Sequence, residues 1–145
     1  MKRTITHLVL LSTIICYANG LVGFTQSAGA RGVLLCHGQP LSGVKVKLYD
    51  HDRTDMDDLM DSGYTNDRGE FTLMGSEDEF TTIDPKINIY HDCDDGWWPC
   101  QRKIAITIPD SYITKGPRPN RVYDAGRLEL SGKYKGESRD CIHRK

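Results

Sequence analysis

No stretch of this 145-residue chain beyond its first twenty residues is long or apolar enough to cross a bilayer. The mature chain is therefore expected to be soluble. The usual C-terminal retention and lipidation signals are missing. There is no Cys-x-x-Cys spacing, which argues against a structural zinc site. No repeat of fixed period appears, which argues against a propeller or solenoid. The chain also lacks a strong basic excess, its formal net charge being −1, and this argues against nucleic acid as the main partner. No cofactor, no bound metal and no catalytic residue is expected.

What is present begins with an address. Lys2 and Arg3 precede an apolar run from Leu8 to Ala18, and small residues follow at Ala18 and Gly20. Residues 1–20 read as a signal peptide, with the cut after Gly20. Removing them deletes Cys16 and leaves Cys36, Cys93, Cys100 and Cys141. An even number of cysteines in an exported chain reads as two disulfides, and four cysteines allow three pairings. The sequence favours Cys93–Cys100, which end one strand and begin the next. Cys36–Cys141 then follows by elimination.

Charge is segregated along the chain. Residues 50–95 carry fifteen acidic and three basic side chains, and residues 96–145 carry five acidic and eleven basic. Residues 21–30, rich in Gly, Ser and Ala, read as a loose N-terminal arm. From Gly32 a period-2 pattern takes over. Val44, Val46 and Leu48 alternate with Lys45, Lys47 and Tyr49, the mark of a strand with one face in a core. Phe71 with Leu73, Ile87 with Ile89, Ile104 with Ile106, and Leu128 with Leu130 repeat the pattern. Asn66-Asp-Arg-Gly69 is hairpin chemistry, Asp57–Met60 reads as one helical turn, and residues 75–84 read as an acidic loop. About seven short strands with little helix predict an all-β sandwich over residues 31–131, with a basic tail at 132–145.

The order of these pieces resembles the nematode transthyretin-like family. The resemblance rests on Gly32-Val-Leu-Leu-Cys36, GQPLSGVKVKLYD at 38–50, Asp57-Asp-Leu-Met60, and GYTNDRGEFTLMG at 63–75. It continues through Pro85, INIYHDC at 87–93, Cys100-Gln-Arg102 and Tyr123-Asp-Ala-Gly126. It implies a prealbumin-like sandwich and an extracellular or cell-surface role, and it names no ligand. Related hydroxyisourate hydrolases share the fold and end in Tyr-Arg-Gly-Ser. Here Tyr134-Lys-Gly-Glu137 is not terminal, and the segment Gly32–Cys36 holds no histidine. The likeness to that enzyme is one of fold, not of site.

Four candidate sites compete. Asp50, Asp52, Asp55, Asp57 and Asp58 invite a calcium reading, but Thr54 and Asp55 stand where a helix-loop-helix site needs a ligand and a glycine. A solvated acidic loop is the better account. His91 beside Cys93 invites a thiol nucleophile, yet secretion favours an oxidised cysteine. Trp97 and Trp98 lie between two cysteines, and rigid aromatics are favoured binding anchors. Neighbours on an extended segment point opposite ways, and Trp98, stiffened by Pro99, reads as the exposed one. Lys115, Arg118 and Arg121 sit on a proline-stiffened segment that suits an anionic group. The expected function is a secreted binding or bridging protein of the cell surface. Its partner would be an extracellular protein, a lipid headgroup or a glycan. A small apolar ligand carrier is the alternative, and a hydrolase comes last. Joint use of Trp98 with Arg118 and Arg121 requires both loops at the same end of the sandwich.

Overall fold

The computed structural model describes residues 23–54 and 56–142. The proposed signal peptide and its cut lie outside the described residues, as does Asp55. Ten strands form two sheets: β1 (Phe24–Cys36), β2 (Gln39–Pro40), β3 (Lys45–Asp50), β4 (Asp58–Tyr64), β5 (Glu70–Glu79), β6 (Pro85–His91), β7 (Gln101–Thr107), β8 (Thr114–Lys115), β9 (Tyr123–Glu129) and β10 (Ser138–Asp140). A single 3₁₀ turn occupies Asp110–Tyr112.

The first sheet is organised around β1. It pairs antiparallel with β5, β2 and β8, and parallel with β9. The second sheet is antiparallel throughout, in the order β10-β7-β6-β3-β4. Alternation puts Val46, Leu48, Phe71, Leu73, Ile87, Ile89 and Ile104 between the sheets, all at most 4 % exposed. Ile106 and Leu128 are only partly buried at the margin of this core, while Leu130 is fully buried.

Several local expectations need correction. Residues 24–30 are not a loose arm but the first half of the longest strand. Ser27, Ala28 and Ala30 are fully buried there. Their small size makes close approach possible. A Cβ on Gly29 would lie 2.9 Å from the Leu73 carbonyl oxygen and 3.4 Å from the Pro119 ring. The proline-rich segment therefore folds down over β1. Residues 75–79 continue β5 instead of opening a loop, because they pair with 24–28. Asp58–Met60 belong to β4, paired with Tyr49 and Asp50, and form no helical turn. The tail is anchored as well, since β10 adds to β7.

The disulfides also differ from expectation. Cys36 bonds Cys93, and Cys100 bonds Cys141. The β6–β7 register, His91 opposite Arg102, does bring Cys93 toward Cys100. Cys93 is instead buried on the inward face, where it meets Cys36 at the end of β1. Arg139 lies opposite Arg102 and Asp140 opposite Gln101, so Cys141 comes next to Cys100 across the β10–β7 pair. Their Cα atoms are 4.2 Å apart, the spacing of a close cross-strand pair.

Candidate functional site

The residues at the Cys36 end of the sandwich are held by a dense polar frame. Arg102 is buried at the start of β7, and its guanidinium is fully used. Nε and Nη2 grip the Glu137 carboxylate at 2.6 and 2.8 Å. Nη1 donates to the carbonyls of Cys93 and Leu130, and Nη2 also donates to that of Gly132. The arginine ties three loops together, and its hydrogen bonds, more than its charge, hold the Glu137 carboxyl down at about 2. His91, opposite it, is buried. Its Nδ1 accepts from the Cys93 N–H, so Nε2 carries the proton. Burial first, and then the charge of Arg102, push the imidazole down to about 4. This is a neutral strand-end histidine in a frame. With Cys93 oxidised, there is no thiolate for it to activate.

Outside this frame stands a second layer. Glu129 accepts hydrogen bonds from the N–H groups of His37, Gly38 and Ser131 and from the Ser131 hydroxyl. That set holds its carboxyl at about 2 and fixes the turn after β1. His37 Nε2 meets Asp94 Oδ1 at 2.6 Å, so a His–Asp pair straddles the Cys36–Cys93 bond. His37 and Asp94 both adopt positive φ, at 52° and 51°. A polar side chain bonded locally is the usual means of holding such a conformation. Cys36, His37 and Asp94 cluster closely, but the sulfur belongs to a disulfide and is no metal-binding thiolate.

The loop 92–100 rises from this base. Gln101 Nε2 donates to Asp92 Oδ2, and Asp95 N–H donates to the Asp92 carbonyl. Asp95 turns inward and is buried, where one carboxylate oxygen takes Arg139 Nη1. Arg139 also donates to the Cys100 carbonyl at 3.0 Å and lies 5.5 Å above the Trp98 ring. Trp97 is fully exposed and Trp98 is 70 % exposed. Asp94, Asp95, Gly96, the two tryptophans and Arg139 line an open groove of about 560 Å³. Both flanking cysteines are bonded to other elements, so the aromatic tip is clamped at each foot. Asp95 and Arg139 escape sequence reasoning because their partnership depends on β10, a three-residue strand with no apolar alternation.

The basic segment lies elsewhere. Lys115 pairs with Gln26, and Pro119 covers Gly29. From Gln26 to Cys36 the strand runs roughly 30 Å at ~3.3 Å per residue. Lys115, Arg118 and Arg121 are thus not brought to the tryptophan tip. Arg121 packs 4.6 Å from the centre of the Tyr112 ring, while Lys115 and Arg118 face solvent. Lys115 lines a groove with the exposed Phe24 and Phe80.

The acidic stretch lies toward the Lys115 end. Asp57 is held by Lys86 at 2.5 Å and by His51 at 2.6 Å. Asp50, Asp52 and Glu79 bring carboxylates within 4.8 Å of one another. Asp50 is buried and accepts the Asp84 N–H at 2.7 Å.

Fold and site together define a class: a two-sheet sandwich, stapled by two disulfides, that presents a clamped aromatic loop at one end. Residues 31–109 match the model of the transthyretin-like family, described as TTR-52. Transthyretin-like protein 5 of Caenorhabditis elegans is 57 % identical over 137 residues, covering 94 % of this chain and 99 % of that protein. Transthyretin-like proteins 33 and 2 of the same organism are 48 % and 45 % identical. They cover 90 % and 98 % of this chain, and 92 % and 99 % of their own lengths. The chain belongs to the transthyretin-like family. No helix among the described residues is long and apolar enough to cross a membrane.

Proposed function

We propose that this protein is exported and binds an extracellular or cell-surface partner through the Trp97–Trp98 loop. The observation that carries the reading is a fully exposed tryptophan beside a largely exposed one, on a loop fixed at both feet by disulfides. Large aromatics offer much apolar area for the ordering of only two side-chain torsions, and a loop fixed at its feet loses less freedom when a partner covers it. Two disulfides and the basic-then-apolar start at Lys2–Ala18 support export. Lys115 and Arg118 form a second surface, suited to an anionic group such as a lipid headgroup or a sulfated glycan. Two unlike surfaces on distant parts of one rigid sandwich are what a bridging protein needs.

The test is retention of the disulfide-bonded chain on intact cell surfaces. Trp97→Ala and Trp98→Ala should each reduce retention, and Arg118→Glu should reduce it independently if both surfaces engage. Retention unchanged by both tryptophan substitutions would move the site away from this loop.

A further inference from the structure

We infer that the groove beside Trp97 receives a basic side chain, arginine or lysine, from a protein partner. The inference rests on the reading of the Trp97–Trp98 loop as the binding tip and names the chemistry that the tip accepts.

The molecule already holds one cation in this manner. The Arg139 guanidinium lies over the Trp98 ring at 5.5 Å and bonds the buried Asp95 carboxylate. An indole face attracts a cation through its quadrupole, and a carboxylate beside it adds a charge-assisted hydrogen bond. The same groove is lined by a second indole and a second carboxylate. Trp97 is fully exposed, and Asp94 lines the same groove with its carboxylate toward solvent. Trp98 already has a cation over its ring, and Trp97 stands fully exposed beside it.

Charge selects the occupant. Asp92, Asp94 and Asp95 stand at the tip against Arg139 and His37. Asp95 also keeps a second buried carboxylate oxygen with no hydrogen-bond partner. An anionic group entering here would face this acidic surplus, while Lys115 and Arg118 lie far along β1. A guanidinium stacks on an indole and forks onto a carboxylate at the same time, which uses both groups the groove offers. His37 is the internal competitor, since its ring already engages one oxygen of Asp94.

The experiment titrates the disulfide-bonded chain with an acetylated, amidated tetra-arginine peptide, followed by tryptophan emission and calorimetry. Tetra-glutamate and vesicles of phosphatidylglycerol with phosphatidylcholine are the comparison probes. Tetra-arginine should bind, more weakly as salt rises. Trp97→Ala and Asp94→Asn should each weaken it by about three- to tenfold. His37→Gln, which frees Asp94, should bind at least as tightly as the natural chain. Trp97 supports no part of the core, so circular dichroism should show its alanine variant folded. Failure of tetra-arginine to bind, or equal binding by Trp97→Ala, overturns the inference. Binding of tetra-glutamate or the vesicles through Trp97 overturns it too, yet leaves the loop as the binding tip. Cell-surface retention that ignores both tryptophans instead defeats the parent reading.

Discussion

At the tryptophan end of the sandwich, loops from both sheets are fastened by two disulfides, the Arg102–Glu137 pair and the Glu129 hydrogen-bond set. Among the described residues the opposite end has no disulfide; Asp50 is buried there and the Lys86–Asp57 pair is partly buried. Arg53 reaches Asp84 only at 3.9 Å, and Phe24, Met56 and Phe80 are largely exposed. One end is held by a buried arginine and covalent bonds, the other by strand pairing, one partly buried ion pair and the open Arg53–Asp84 contact. Exposed pairs contribute about 0–1 kcal/mol each, whereas a buried arginine whose every donor is used cannot be removed cheaply. Rigidity is concentrated where the aromatic loop projects.

The sharpest way to break this contrast is to remove one member of each kind of pair. Arg102→Ala leaves Glu137 and three carbonyls without their donor, and should cost about 3–5 kcal/mol in urea unfolding. Arg53→Ala at the other end should stay within about 0.5 kcal/mol. Equal costs would mean that the two ends are not held differently. Next, replacing Cys36 and Cys93 together by serine should cost about 2–5 kcal/mol. Mass mapping without reductant should link Cys36 to Cys93 and Cys100 to Cys141 in the natural chain.

Acid acts on the two ends through different groups. The His91 imidazole is depressed to about 4 from 6.5, so below pH 6.5 the unfolded chain takes up that proton more readily. Glu137, at about 2 instead of 4.5, contributes stability above pH 4.5 that is lost as pH falls toward 2. For the tryptophan end, stability should therefore fall continuously from pH 6.5, with His91 accounting for up to roughly 3 kcal/mol by pH 4. Asp50 and Glu79 behave oppositely. Burial, reinforced by neighbouring carboxylates, raises both, so their protonation in mild acid is a gain at the far end, opposed there by Asp57, whose carboxyl Lys86 and His51 hold down. Urea titrations across pH should show His91→Gln flattening the upper part of the decline and Asp50→Asn removing the opposing gain. The smallest expected effect is on the stability of Trp97→Ala, within about 0.5 kcal/mol, because the ring covers nothing. A larger loss by thermal or urea unfolding would make Trp97 a structural residue.

The sandwich was legible because its core strands alternate cleanly. Val46 and Leu48, Phe71 and Leu73, and Ile87 and Ile89 each announce a half-buried strand, and each is found in one. Residues 24–30 were illegible because serine, alanine and glycine carry the same composition whether a segment is loose or packed against its neighbours. What decides between these is the pairing of residues 24–30 with Leu73–Glu79 and the Pro119 ring over Gly29. The cysteine pairing failed for a related reason. Cys100 has two cross-strand neighbours, and the second arrives on a strand that charge, not alternation, composes. Trp97 and Trp98 could be picked out as binding candidates from the cysteines around them. The sequence favours Trp98 as the exposed one, but it is Trp97 that stands fully in solvent while Arg139 lies over Trp98. Their company could not be picked out, since Arg139 lies far away in sequence.

That distance sets the order in which the tip is finished. Strands β1 to β7 and the Cys36–Cys93 bond draw only on residues up to 107. Arg139 and Cys141 must also have emerged from the ribosome before Asp95 gains its counter-charge and the Trp98 ring its cover. A chain stopped short of Ser138 would therefore keep most of the sandwich while presenting a loop with one foot loose.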